Sequence, residues 1–86
     1  MVSHVDGNAL AGPLAELFQT DMTIAAIECV ACGDIAELAQ AMVYPDPMGF
    51  VVHCASCEAV LMTLVTATES TSLDIRGIAR LVFDRN

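Results

Sequence analysis

All four cysteines of the chain fall into two Cys-x-x-Cys pairs, and this pattern constrains the fold more than any other feature of the sequence. Cys29 and Cys32 form the first pair, Cys54 and Cys57 form the second, and the 21 residues 33–53 separate them. A Cys-x-x-Cys turn lets two thiolates converge on one ion, and two such turns complete a tetrahedron of sulfurs. The separation slightly exceeds the roughly 15–20 residues of the usual metal-binding pattern and is long enough for a β-hairpin.

We therefore predict that Cys29, Cys32, Cys54 and Cys57 bind one divalent metal ion, which we expect to be Zn²⁺. Four protein ligands leave no position for water, and closed sites of this kind are structural, whereas catalytic zinc keeps an open position.

The residue that follows each cysteine pair predicts the backbone conformation at that position. Gly33 follows the first pair, where a positive φ suits a chain that turns back. Glu58 holds the corresponding place after the second pair, and a left-handed conformation would cost it about 1 kcal/mol. Metal binding, worth ~10–16 kcal/mol in zinc fingers, would offset that cost.

Iron is the main alternative to zinc, because a tetrahedron of four thiolates accepts either ion. The segment Cys29-Val30-Ala31-Cys32-Gly33 resembles half of a rubredoxin, whereas Cys54-Ala55-Ser56-Cys57-Glu58 lacks the Cys-Pro-x-Cys-Gly form. Two other interpretations stay open: buried cysteines that never meet, and two redox-active dithiols, which usually require a βαβ context. His4 and His53 are the other soft side chains, and we expect neither to be a ligand.

Composition and charge limit the class of partner. The 86 residues are 56% hydrophobic and 16% charged, which is typical of a folded chain with an apolar face left for a partner. The net charge is −8, and the three cations, Arg76, Arg80 and Arg85, all lie in the last eleven residues. A phosphate backbone requires a basic face, so we expect no direct binding of nucleic acid.

The sequence shows no membrane-spanning or secretory segment. Residues 1–18 lack a positive region followed by an apolar run, and residues 59–67 form an apolar run far shorter than the ~20 residues of a membrane helix. We expect a cytoplasmic protein, and in a reducing cytosol paired cysteines are typical of metal or redox sites rather than disulfides.

The expected architecture is α+β and mostly β: a single zinc-ribbon domain over residues 1–86, with a helix over about 8–19 and a ribbon over about 22–83. Leu10, Leu14, Leu17 and Phe18 recur at helical spacing. Asp6 or Asn8 can cap this helix, and Pro13 predicts that it is short or kinked.

Antiparallel hairpins are expected after the helix. Residues 23–28 alternate as a strand leading into Cys29, and residues 39–44 and 50–53 should pair across a turn at 45–49. Residues 59–68 have strand composition, residues 69–72 form a polar break, and alternation resumes at 73–75. The tail, residues 78–83, has features of both helix and strand, and we favour a strand.

Several segments together resemble a small actinobacterial zinc-ribbon-like domain family of unknown function. The resemblance lies in residues 6–16, the two cysteine pairs, Val43-Tyr44-Pro45, and residues 73–77. It implies a zinc-ribbon-like fold but no reaction. Because genes of this family often neighbour flavin or molybdopterin oxidoreductases, the resemblance also implies an accessory or subunit role.

The functional expectation is therefore an accessory or protein-interaction module rather than an enzyme, and homo-oligomers are compatible with it. No serine lies in a nucleophile elbow, and no glycine-rich phosphate loop occurs. Leu10, Leu14 and Phe18 can pack the helix on its own ribbon, which we favour, or on a partner. The alternative function is a rubredoxin-like iron electron carrier partnering an oxidoreductase. The expected acidic face comprises Glu16, Asp21, Glu28, Asp34, Glu37 and Asp46.

Overall fold

The computed structural model describes residues 4–18 and 21–83. Within these residues one α-helix, α1, spans Ala11–Phe18, and three short 3-10 helices span Gly7–Leu10, Met22–Ile24 and Leu38–Gln40. The eight strands of the same residues are β1 Val5–Asp6, β2 Ala26–Cys29, β3 Ile35–Glu37, β4 Met42–Asp46, β5 Gly49–His53, β6 Val60–Thr66, β7 Thr71–Asp74 and β8 Ile78–Val82.

The strands form two antiparallel sheets. The larger sheet has five strands in the order β1-β4-β5-β6-β7, and the smaller has three in the order β3-β2-β8. In the smaller sheet, Ile27 pairs with Ala36 on one side and with Leu81 on the other. The predicted class is confirmed: a mostly β chain of antiparallel hairpins with two Cys-x-x-Cys turns and a short N-terminal helix.

The N-terminal helical segment begins as a 3-10 helix and continues as α1. The Asp6 carboxylate accepts a hydrogen bond from the Asn8 amide at 3.1 Å, which satisfies a donor that the first turn leaves free. Pro13 lies in the first turn of α1, where a missing N–H removes no helical hydrogen bond. The predicted helix over 8–19 is thus two joined pieces, and its final residue lies outside the described residues.

Two predicted strands begin later than the sequence pattern indicated. Residues 22–24 form a 3-10 turn because Asp21 accepts hydrogen bonds from both the amide and the hydroxyl of Thr23, at 3.0 and 2.6 Å. Local side-chain capping of this kind competes with a strand. Residues 38–40 also form a 3-10 turn, which buries Leu38 completely, and β4 then starts at Met42.

The predicted hairpin between the two cysteine pairs is confirmed. Strands β4 and β5 pair from Met42 opposite His53 to Asp46 opposite Gly49, so the turn is shorter than the five residues expected. Asp46 accepts a hydrogen bond from the Met48 amide at 2.9 Å and fixes this turn. The tail forms strand β8, as favoured from its composition.

The core lies between the helical segment and the two sheets. Its largest completely buried side chains are Leu10, Leu14, Leu38, Val43, Val52 and Leu61. Leu10 and Leu14 therefore pack on the ribbon, as favoured from the sequence, whereas Phe18 remains 45% exposed. Cys29 and Cys54 belong to the same buried cluster, at 3% and 5% exposure. The core consequently reaches the first cysteine of each pair.

Candidate metal centre

The structure brings all four predicted cysteines together. Cys29 ends β2, and Cys32 lies in the loop that leads to β3; Cys54 follows β5, and Cys57 lies in the loop that leads to β6. Their four sulfur atoms lie within 4.8 Å of one another, an arrangement that could hold a metal ion. All four thiols are free rather than joined in disulfides. The idea of four separate buried cysteines is therefore wrong.

Two sulfur–sulfur distances test whether the cluster fits a metal ion. The Sγ atoms of Cys29 and Cys57 lie 3.7 Å apart, and those of Cys32 and Cys54 lie 3.8 Å apart. A tetrahedral zinc ion with Zn–S bonds of about 2.3 Å places its sulfur ligands about 3.8 Å apart. A disulfide would require a separation of about 2.05 Å. These two separations therefore match those of sulfur ligands around one ion, and all four sulfurs lie close enough together that they could hold one.

The two Cys-x-x-Cys turns have the same backbone hydrogen bonds. In the first, the Cys29 amide donates to the Asp34 carbonyl and the Gly33 amide to the Cys29 carbonyl, both at 2.9 Å. In the second, the Cys54 amide donates to the Ala59 carbonyl at 2.8 Å and the Glu58 amide to the Cys54 carbonyl at 2.9 Å. Each turn therefore closes the hairpin whose loop it forms.

Backbone amides within the turns also donate to the sulfurs. The Ser56 amide lies 3.4 Å from Cys54 Sγ, and the Asp34 and Ala59 amides donate to Cys32 and Cys57. Cys29 accepts from the amides of Ala31 and Cys32. Such donors orient sulfur ligands and stabilise their negative charge, so each turn is already arranged for thiolates.

The electrostatics of the cluster make the four thiols unequal. The amide of Cys32 does most to lower the pKa of Cys29, to about 7, against an opposing effect of desolvation. At Cys32 the Asp34 amide lowers the pKa, but desolvation and the three neighbouring thiols outweigh it and raise the pKa to about 12. At Cys57 desolvation and the thiols of Cys29 and Cys54 likewise outweigh the Ala59 amide, and the pKa is raised. Binding of a metal ion would therefore release protons from this cluster.

Gly33 and Glu58 occupy equivalent places after the two turns, and both have a positive φ, of 76° and 65°. Glu58 is the only non-glycine residue with a positive φ among the described residues. A side chain in this conformation is strained by roughly 1–2 kcal/mol. The place of both residues directly after the cysteine pairs predicts this conformation.

We expect Glu58→Gly to raise the free energy of unfolding by about 1 kcal/mol, because glycine removes the left-handed strain. Gly33→Ala should lower it by a similar amount. Chemical denaturation at a fixed excess of Zn²⁺ measures both changes. Ala55→Gly, in the same turn as Glu58 but without a positive φ, is the control and should be slightly destabilising. Equal losses from Glu58→Gly and Ala55→Gly would contradict the expectation.

A hydrogen bond links the two turns directly. The Ser56 hydroxyl of the second turn donates to the Asp34 carboxylate, which follows the first turn, at 2.8 Å. The sequence predicts Asp34 as part of an acidic face and does not indicate this contact. Ser56 lies within the second cysteine pair, and Asp34 lies two residues after the first. This proximity was the only sequence signal for the link.

The histidines do not join the sulfur cluster. His53 Nδ1 lies 2.8 Å from the Glu58 carbonyl oxygen, and the ring packs edge-on against Tyr44 at a centroid distance of 4.8 Å. The metal-ligating group found in the described part of the chain contains only the four cysteines. His53 therefore supports the backbone of the second turn and packs beside it.

The cluster joins the two sheets. Cys29 and Cys32 lie on the β2–β3 hairpin of the smaller sheet, and Cys54 and Cys57 lie on the β5–β6 hairpin of the larger one. The first cysteine of each pair is buried, and the second is exposed. An ion bound here would hold the sheets together at one end and would border both the core and the solvent.

These observations define a small, mostly β domain with a four-cysteine cluster that could hold a metal ion. The chain belongs to DUF6510, a family of unknown function, whose family model matches residues 1–86. Comparison with curated proteins and with solved structures found no match. In residues 4–18 and 21–83 there is also no helix long and apolar enough to cross a membrane.

Proposed function

We propose that this chain is a small acidic zinc-binding module in which the metal is structural and the surface serves as an accessory or protein-interaction site. The observation that carries the proposal is the cluster of four sulfurs within 4.8 Å of one another, two pairs of which are separated by the 3.7 and 3.8 Å that suit one tetrahedral ion. Because the ligands come from hairpins in different sheets, the ion would act as a staple between the sheets. Small domains often require such a staple, since their cores are limited.

The donor set supports zinc and argues against catalysis. Four thiolates in a tetrahedron suit Zn²⁺, and four protein ligands leave no coordination position for water or substrate. Catalytic zinc instead keeps one open position, where bound water can become a nucleophile. The proposed role is therefore that of a non-enzymatic protein. Four free thiols also suit a reducing compartment such as the cytoplasm.

The interaction role rests on the surface. Twelve large apolar side chains are exposed in the described part of the chain, among them Phe18, Ile75 and Phe83. The whole sequence contains eleven acidic residues and only three arginines. A surface both apolar and acidic is suited to a protein partner rather than to nucleic acid. The resemblance described above makes an oxidoreductase subunit the partner to test first.

An iron-containing electron carrier is the second candidate. The observation that favours it is the exposure of Cys32 and Cys57, which would place two ligand sulfurs at the surface, where an electron can pass to a partner. The amide donors to the sulfurs suit an iron tetrathiolate as well as a zinc one. The two candidates therefore differ in the ion and not in the ligands.

Metal analysis of the protein purified from its own host tests this proposal. We expect about one zinc per chain and no visible absorption, because Zn²⁺ has a filled d shell. A coloured protein with about one iron per chain would instead establish the electron carrier. Protein that has been stripped and reloaded with each ion serves as the spectroscopic reference. A folded protein with neither metal would overturn both candidates.

A further inference from the structure

An apolar groove lies between α1 and the chain segment that connects β7 to β8. We call it the helix groove, and its volume is about 130 Å³. Every lining residue is apolar, and its floor includes completely buried Leu14 and Leu38. Met22 and Met62, each 4% exposed, also belong to this floor, and the partly exposed walls are formed by Phe18, Leu73, Ile75, Ile78 and Leu81. A groove of this size has room for one or two apolar side chains and offers them no hydrogen-bonding partner.

One wall of the groove is an incompletely covered helix. Leu14, Leu17 and Phe18 recur at i, i+3 and i+4 on α1, but only Leu14 is buried. Phe18, in the groove lining, and Leu17, outside it, remain 45% and 43% exposed, and across the groove Ile75 and Leu81 are 50% and 38% exposed. Side chains at this spacing form the ridge that packs against a second helix. The helix groove therefore has the form of a helix-binding site.

The charged residues near the groove distinguish between the possible binding partners. Exposed Glu16, Asp21 and Glu37 lie one or two residues from groove-lining positions in the sequence. Hydrogen bonds from the side chain and amide of Thr23 lower the pKa of Asp21, so that carboxylate is ionised at neutral pH.

The two arginines within the described residues do little to offset this negative charge. Arg76 is paired with Asp74 at 2.5 Å, and Arg80 is paired with Glu28 at 2.8 Å. A second copy would bring another chain of net charge −8 against the same acidic surroundings, which like-charge repulsion opposes.

We propose that the helix groove binds the apolar face of a basic amphipathic helix from a different protein. Phe18, Ile75 and Leu81 would contact its apolar side chains, and its lysines or arginines would lie near Glu16, Asp21 and Glu37. This inference rests on the proposed interaction role and adds to it the position of the site and the chemistry of the partner. Apolar contact provides affinity, and the charges select against acidic helices and a second copy.

Titration of the metal-loaded chain of 86 residues with two synthetic helical peptides tests the proposal. The peptides have the same length and leucine positions, but one carries lysine and the other glutamate on its polar face. We expect the lysine peptide to bind at least tenfold more tightly by calorimetry. Its amide chemical-shift changes in the ¹⁵N-labelled chain should concentrate in α1 and in residues 73–83.

Matched variants separate groove binding from general attraction between opposite charges. Phe18→Glu changes a groove wall, whereas Met48→Glu changes a 55% exposed side chain in the β4–β5 turn and adds the same charge. We expect Phe18→Glu to weaken binding of the lysine peptide at least tenfold and Met48→Glu to change the Kd less than twofold. Ile75→Glu is the second groove variant, and metal content and amide dispersion verify that each variant is folded.

Several results would overturn the groove assignment: no binding of the lysine peptide, equal affinity for the glutamate peptide, or equal effects of Phe18→Glu and Met48→Glu. Concentration-dependent shifts at α1 without peptide would identify a second copy as the occupant and would also overturn it. Capture of a host partner that is unaffected by Phe18→Glu and Ile75→Glu would refute the groove but leave the interaction role intact. Failure of the metal site would appear in the metal analysis, independently of peptide binding.

Discussion

Removal of the metal ion by a strong chelator is expected to unfold most of the chain. A domain of 86 residues has a total stability of roughly 4–13 kcal/mol. The free energy of binding structural zinc in zinc-finger peptides is ~10–16 kcal/mol. The free energy lost when the ion is removed therefore matches or exceeds the total stability of the domain. The smaller sheet should be lost first, because its three strands have only three to five residues each. The larger sheet contains the longest strand, β6.

Circular dichroism and amide dispersion in ¹⁵N-correlated spectra measure this loss. Stoichiometric Zn²⁺ should restore the native spectrum, whereas Mg²⁺ and Ca²⁺ should not, because these hard cations prefer oxygen ligands. Amides of β2, β3 and β8 should lose protection from hydrogen exchange before those of β5 and β6. A chelated protein with an unchanged melting temperature and unchanged dispersion would contradict a stapling role for the metal.

Cys57→Ser is expected to reduce the metal content from about one ion per chain to below one tenth. A serine hydroxyl does not ionise near neutral pH, so the site retains three thiolates and loses a quarter of its donor charge. The melting temperature should fall by more than 10 °C, since a change of 1 kcal/mol already shifts it by about 4–8 °C at this size. Because Cys57 is exposed, core packing changes little, and the loss is attributable to the metal.

Ala55→Ser is the matched control for this substitution. It introduces the same hydroxyl two residues away on the same turn, at an exposed position, and leaves all four sulfurs in place. Its metal content and melting temperature should equal those of the unchanged protein. Cys32→Ser, at the other exposed cysteine, should reproduce the effect of Cys57→Ser. If both cysteine variants kept their metal and their stability, these thiols would not be ligands of a structural ion.

The local geometry of the cysteine turns could be predicted from the sequence. A Cys-x-x-Cys segment confines its chemistry to a few adjacent residues, so the positive φ at Gly33 and Glu58 follows from their position alone. The hairpin between β4 and β5 could equally be predicted from the sequence, because its turn residues and both strands lie within a short stretch of the chain. Predictions of this kind use only residues that lie close together in the sequence, so they do not depend on the tertiary structure.

Tertiary pairing could not be predicted in the same way. The sequence pattern predicts one ribbon and does not separate the strands into two sheets. The pairing of β2 with β8 joins residues about 50 positions apart, and no local pattern specifies it. The 3-10 turn at Leu38 was missed because its cause is burial of that side chain in the core. The late start of β2, at Ala26 rather than Thr23, depends instead on capping of the preceding 3-10 turn by Asp21.

The pairing of β2 with β8 also determines the order in which the molecule can be assembled on the ribosome. Strands β4, β5 and β6 are neighbours in the sequence and can pair as soon as residue 66 has emerged. Strand β2 must wait for residues 78–82 before its second edge is covered. During that interval the nascent chain presents four uncommitted thiols beside an open strand. Capture of the ion at this stage would protect the chain from both oxidation and aggregation during synthesis.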